Sequence, residues 1–186
     1  MEPMLFDFTS ASTFNQADVD NWREVSDTVR TPGMSKAVFS LQLSRVFQRA
    51  VMFAMINPQP NGAGFAGMIT AMPMQAVPKD TKGFRLRVRS QGELVYWKVV
   101  LSQKSVQYDY EIKFKLQNMK DKKFEDVLLP FSDFEALFRG GLVPEAPPLD
   151  LTLVDSFGFQ TFGGVYDTFK QAGTGSLEID YVALYD

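Results

Sequence analysis

Residues 83–92 read Gly83-Phe84-Arg85-Leu86-Arg87-Val88-Arg89-Ser90-Gln91-Gly92. Apolar Phe84, Leu86 and Val88 alternate with Arg85, Arg87 and Arg89, a period of two that an extended strand sorts onto opposite faces and a helix does not. The same alternation recurs outward along the chain. Ala37, Phe39, Leu41 and Leu43 share one face of 36–43, and Tyr110, Ile112, Phe114 and Leu116 oppose Glu111, Lys113 and Lys115. Near the end, Leu177, Ile179, Tyr181 and Ala183 oppose Glu178 and Asp180. Each is the pattern of a half-buried strand. Runs 50–56 and 94–101 are apolar on both faces and read as central strands, with a short buried helix the alternative that pattern alone leaves open. Thr31-Pro32-Gly33, the Asn57–Gly62 stretch, Gln91-Gly92 and Pro144–Pro148 are turn punctuation. A single short helix is expected around Ser132–Phe138, with Ser132 as its N-cap. Strands at intervals of roughly ten residues without long helices between them predict an all-β sandwich or barrel, with the sandwich preferred. No internal repeat interrupts it, so one domain is expected over 1–186.

Composition narrows function. The 186 residues are 45% hydrophobic and 22% charged, with 17 Phe to fill a core. A net charge of -3 argues against nonspecific nucleic-acid binding. The chain has neither His nor Cys. That excludes zinc sites built from those ligands, Ser-His-Asp and Cys-His nucleophiles, and the usual near-neutral general base. No cofactor and no catalytic residue is expected; binding is expected in their place. No stretch is apolar enough over a sufficient length for a membrane-spanning helix. The opening Met-Glu-Pro-Met-Leu-Phe-Asp-Phe reads as neither signal peptide nor Arg-rich transit peptide, which fits a protein that stays where it is made or a mature form.

Several motifs carry a functional and a plainer reading. Gly62-Ala-Gly64-Phe-Ala-Gly67 matches the dinucleotide pattern, but a loop precedes it and Pro73 follows soon after, so close strand contact is the expected role of these glycines. Asp27, beside Pro32-Gly33, reads as an acceptor for turn amides rather than a general acid. The loop acids Asp109, Asp133, Asp150, Asp155 and Asp167 lack calcium-loop spacing, although separated loops can also hold calcium. The row Arg85, Arg87, Arg89, extended by Lys113 and Lys115 if their strand shares the sheet, is either a basic surface for anions and lipid headgroups or one side of cross-strand pairs with Glu178 and Asp180. Pairing is the preferred reading. Met72 and Met74 flank Pro73 and are candidates for exposed apolar contacts. Adjacent Tyr96 and Trp97 must face opposite ways, one inward and one outward, and an outward aromatic is what a sugar-binding surface uses.

Taken in order, several segments resemble the complex I intermediate-associated protein 30 family. They are Leu5-Phe6-Asp7-Phe8, Trp22, Ser26-Asp27-Thr28-Val29, Gly33-Met34-Ser35, Gly64-Phe65-Ala66-Gly67 and Leu86 to Gly92. Val127 to Phe134, Phe138-Arg139-Gly140, Ser156 to Phe159 and Gly175 to Tyr181 complete the series. Gln91 stands where the family commonly has an acidic residue. The resemblance implies a galactose-binding-like jelly roll and a non-catalytic, chaperone-like assembly factor associating with membrane-arm intermediates of mitochondrial complex I. It implies a mitochondrial location, otherwise a cytoplasmic one, and protein subunits or assembly factors as partners, with peripheral membrane contact beside them. The alternatives are a carbohydrate-binding module and a diverged protein-interaction paralogue unrelated to complex I. The expected partner-binding residues are Ser26, Asp27, Arg30, Ser35, Met72, Met74, Arg87, Arg89 and Arg139; Pro130, Phe131 and Phe134 are expected to anchor a loop on the core.

Overall fold

The computed structural model describes residues 2–60, 63–73, 77–117 and 123–186. The alternating segments pair into two antiparallel sheets that face each other, a jelly-roll β-sandwich. The first runs β3 (Lys36–Leu43), β4 (Gln48–Ile56), β13 (Gly173–Tyr185), β6 (Gly83–Gly92), β9 (Glu125–Pro130), with β1 (Met4–Asp7) also on β13. The second runs β11 (Gly141–Leu142), β10 (Glu135–Phe138), β8 (Asp109–Lys115), β7 (Tyr96–Ser102), β12 (Ser156–Phe162), β5 (Phe65–Ala71), β2 (Arg23–Ser26). They are called the six- and seven-stranded sheets below.

The inward face of each strand is the one its alternation marks. Phe84, Leu86 and Val88 are fully buried, as are Trp97, Val99 and Leu101. Between the sheets, Trp22 stacks on Phe39 at 4.3 Å, and Phe84 from one sheet meets Phe157 from the other edge-on at 5.6 Å. Burying each such side chain contributes about 1.5–3 kcal/mol. Phe131 and Phe134 close on Phe84 at 5.0 and 6.0 Å, so this segment does anchor its loop on the core.

Three local expectations change. Residues 131–133 form only a 3₁₀ turn and Glu135–Phe138 is strand β10, because this segment pairs with β8 through Glu135↔Glu111 and Leu137↔Asp109. The short helix is α1 (Gln16–Val19) instead, closed by a capping box between Asn15 and Asp18. In β13 the pairing with β6 slips between Ile179 and Tyr181. This bulge shifts the inward face from Leu177 and Ile179 to Val182 and Leu184 and turns Tyr181 outward, toward Asp126. Leu43, assigned to the inner face, is 68% exposed at the end of β3.

Gly64 leads into strand β5, not a helix, which removes the geometry a dinucleotide site requires; Gly62 lies outside the described residues. Gly67 faces β12 so closely that a Cβ would collide with the Phe159 carbonyl and with Gln160. Gly67→Ala is therefore expected to destabilise the protein by about 1–3 kcal/mol, read as a lower urea midpoint; an unchanged midpoint would show that β5 and β12 can separate at no cost.

Candidate functional site

The outer face of the seven-stranded sheet carries a cleft of about 440 Å³. Its floor is set by register. Gln160, Lys98 and Lys113 lie side by side on β12, β7 and β8, and Glu111 lies opposite Glu135 on β10. Like charges directly opposite repel, and the lysines are relieved by other partners: Lys98 pairs diagonally with Glu111 at 2.6 Å, and Lys113 pairs with Asp167 of the 163–172 loop at 2.7 Å. The Phe162 ring lies 5.5 and 5.2 Å from the two ammonium groups. Burial raises the pKa of Asp109, assisted by neighbouring Glu111 and opposed by a hydrogen bond from Ser102 and the charge of Lys98.

Two segments wall the cleft. The turn from β10 to β11 takes left-handed backbone at Arg139 (φ 50) and Gly140 (φ 82). Gly140 has no Cβ because the Tyr166 ring occupies that space, 2.6 Å from where a Cβ would sit. The other wall, the 163–172 loop, is held to the sheet by Asp167 on Lys113, by Phe169 and by Gln171. Gln171 Nε2 donates to the Tyr96 and Phe162 carbonyls, while its Oε1 accepts from the Val95 and Tyr96 amides. Phe169 stacks on Tyr96 at 3.7 Å, so the outward aromatic of the Tyr96-Trp97 pair is a covered support and not an open platform. The rim is apolar: Tyr166 is 73% exposed, and Phe138, Leu142 and Val165 are exposed as well. Arg30, Lys98, Lys113 and Arg139 face Asp109, Glu111, Glu135 and Asp167, four cations against four carboxylates, so the lining sums to no formal charge.

The structure distributes the expected site residues widely. Arg30 and Arg139 meet at this cleft. Ser26, Asp27 and Ser35 are buried: Asp27 accepts from the Ser35 amide at 2.8 Å and its hydroxyl at 2.7 Å, closing the loop that carries Arg30. Their part in any interface is therefore to hold that loop in place. Met72 is half-buried against the core instead of standing free. Met74 lies outside the described residues. Arg87 and Arg89 are on the opposite sheet. Sequence reasoning missed Gln171, Phe169 and Tyr166, because their roles depend on which strand the 163–172 loop folds over.

A profile of complex I intermediate-associated protein 30 matches residues 6–179. The chain belongs to that family. No curated protein matches it in sequence. Among solved structures, it is similar to the family 11 carbohydrate-binding module of a cellulosomal cellulase of Clostridium thermocellum. The TM-score is 0.64 at 14% identity, covering 99% of this chain and 94% of that one. The Clostridium thermocellum module bound to a β-1,3-1,4-mixed-linked tetrasaccharide matches with the same score and identity over 95% and 94%. An agarase matches at TM-score 0.53 and 11% identity, over 98% of this chain and 24% of its own. At these identities the likeness shows the galactose-binding-like jelly-roll fold.

In this complex I intermediate-associated protein 30 domain, the arginine row is spent on pairing across the six-stranded sheet. Arg89 forks onto Glu178 (Nη2 to Oε1 2.9 Å), Gln91 donates to the same carboxylate at 2.9 Å, and Arg87 reaches Asp126 at 2.8 Å. Arg85 pairs with Glu2. Lys113 and Lys115 sit on β8, in the other sheet, and do not extend this row. A partner approaching Arg87 and Arg89 meets paired charge rather than a basic patch.

Burial disfavours ionised Glu178, which is 3% exposed, but the bonds from Arg89 and Gln91 and the charges of Arg89 and Arg49 outweigh it and hold its pKa below the ordinary value of 4.5. A carboxyl so lowered stabilises the fold above its ordinary pKa and loses that contribution as pH falls through the folded value. Glu178→Gln, which removes the carboxylate that Arg89 forks onto, is expected to cost on the order of 3 kcal/mol at pH 7. In denaturation curves the gap from wild type should narrow as pH drops below about 4; a gap independent of pH would mean the pair contributes shape alone.

Proposed function

We propose that this protein is a non-catalytic, chaperone-like binding module, a single domain that associates with membrane-arm intermediates of mitochondrial complex I. The family match over 6–179 is the observation that carries this reading. Subunits or assembly factors of the complex are the proposed partners, and the mitochondrion the proposed location. The cleft of the seven-stranded sheet is the proposed contact surface. Its lysines are already engaged by Glu111 and Asp167, an arrangement suited to holding a partner rather than to transferring protons. Exposed Phe138, Leu142 and Tyr166 supply apolar anchors at the rim, and Arg139 supplies donors beside them.

One observation favours a second reading. Exposed aromatic rings flank a polar floor containing Gln160 and Gln107, a combination that also suits a neutral sugar, and a module of the same fold is bound to a mixed-linked tetrasaccharide.

Affinity purification from the native source with mass spectrometry separates the two. Wild type is expected to bring down membrane-arm subunits. Tyr166→Ala combined with Arg139→Ala should reduce their recovery by roughly tenfold while leaving the melting temperature close to wild type. Glycan-array binding abolished by the same pair of changes, with no respiratory subunit recovered, would overturn the assembly reading in favour of the sugar.

A further inference from the structure

Away from the cleft, the hairpin joining β3 to β4 ends in Leu43-Ser44-Arg45-Val46-Phe47. Val46 is 88% exposed, more than any other large apolar side chain among the described residues; Leu43 is 68% exposed and Phe47 38%. Three exposed apolar side chains at one turn are a standing cost unless something covers them.

The amides of Ser44, Val46 and Phe47 are paired within the turn. The Ser44 amide donates to the Phe47 carbonyl at 2.9 Å. The Ser44 hydroxyl oxygen accepts from the amides of Val46 at 3.1 Å and Phe47 at 3.0 Å. An apolar medium is hostile to exposed backbone because unpaired N–H groups are expensive there. This tip carries the pairings of those three amides with it. Its base is also stiff, since the Arg49 guanidinium lies between the Phe47 ring at 4.2 Å and the Phe124 ring at 4.5 Å.

Arg45, at the centre of the turn, is exposed and makes no ion pair with the described residues. A long cationic side chain between apolar ones can keep its charge at headgroup level while its neighbours enter the hydrocarbon boundary. An exposed cation beside exposed apolar side chains matches what a bilayer surface presents, a layer of phosphates over hydrocarbon.

We propose that this hairpin tip docks on a lipid bilayer surface, with Leu43, Val46 and Phe47 entering the interface and Arg45 meeting lipid phosphates. With so few inserted side chains the contact is weak and reversible, a second foothold beside a protein partner. It goes beyond the assembly reading and does not depend on it.

The test uses the purified full chain and vesicles that contain no protein, either pure phosphatidylcholine or the same lipid with roughly one-fifth phosphatidylglycerol. Wild type is expected to sediment with both and more strongly with the anionic mixture. Val46→Asp should lower the partition coefficient by roughly tenfold on both, and Arg45→Glu should lower it several-fold (about threefold to fivefold) on the anionic vesicles alone. Val29→Asp, an exposed apolar position beside Arg30, should change nothing. Because Trp22 and Trp97 are both buried, Val46→Trp adds a reporter whose emission should shift to shorter wavelength on vesicles. Equal melting temperatures for all variants exclude unfolding as the cause. Failure of wild type to sediment with either vesicle, unchanged binding by Val46→Asp, or an unshifted Val46→Trp spectrum would each overturn the proposal, and the tip would then be a protein contact.

Discussion

Everything in this molecule depends on a run of aromatic rings wedged between two sheets that pack roughly 10 Å apart. Phe6, Phe8 and Phe39 come from the side of the six-stranded sheet, Phe157 and Phe159 from the seven-stranded one, and Trp22 bridges them, stacked on Phe39 at 4.3 Å and near Phe159 at 6.1 Å. Rings of this size leave little freedom in how far apart the sheets can sit. Once that spacing is set, each strand has one face that must be apolar and one that is free for other work. The interior is not perfectly satisfied: the Trp97 indole N–H is buried without an acceptor among the described residues.

The two outer faces use their freedom differently. On the six-stranded sheet, arginines and carboxylates on neighbouring strands pair almost in place, and Phe124 lies over Arg49 and Arg89 at 4.5 and 4.8 Å. That surface is closed by its own chemistry. Arg49 and Asp180 approach only to 3.5 Å, an ion pair without a good hydrogen bond, and burial raises the Asp180 pKa against the pull of Arg49 and Arg87. On the seven-stranded sheet Lys98 pairs diagonally with Glu111, Lys113 pairs with Asp167 of the 163–172 loop, and two walls rise above the floor. The walls depend on each other, because Tyr166 rests on Gly140, and Gln171 with Phe169 fixes the loop that carries Tyr166.

Much of this was legible in advance for a simple physical reason. A strand's period of two sorts side chains without reference to neighbours, so Phe84-Leu86-Val88 and Tyr110-Ile112-Phe114 identified their buried faces directly. Asp27 was readable as a loop acceptor because its partner lies close by in sequence. The bulge in β13 was not readable, since residues 177–183 alternate smoothly and only pairing with β6 forces the slip. The helix expected at 132–138 failed for the same reason: tertiary pairing with β8 overrode a local cap signal.

By itself, then, the sequence determined the fold class, the buried faces of the regularly paired strands, the family and the absence of thiol and imidazole chemistry, because these follow from residue type and local spacing. Only the tertiary structure decided that Lys113 belongs to the cleft and not to the arginine row, that Arg30 and Arg139 meet, and that Arg87 and Arg89 are paired off. Those facts depend on which strands become neighbours across the sandwich, and that order is fixed by long-range pairing between residues as distant as Arg89 and Glu178.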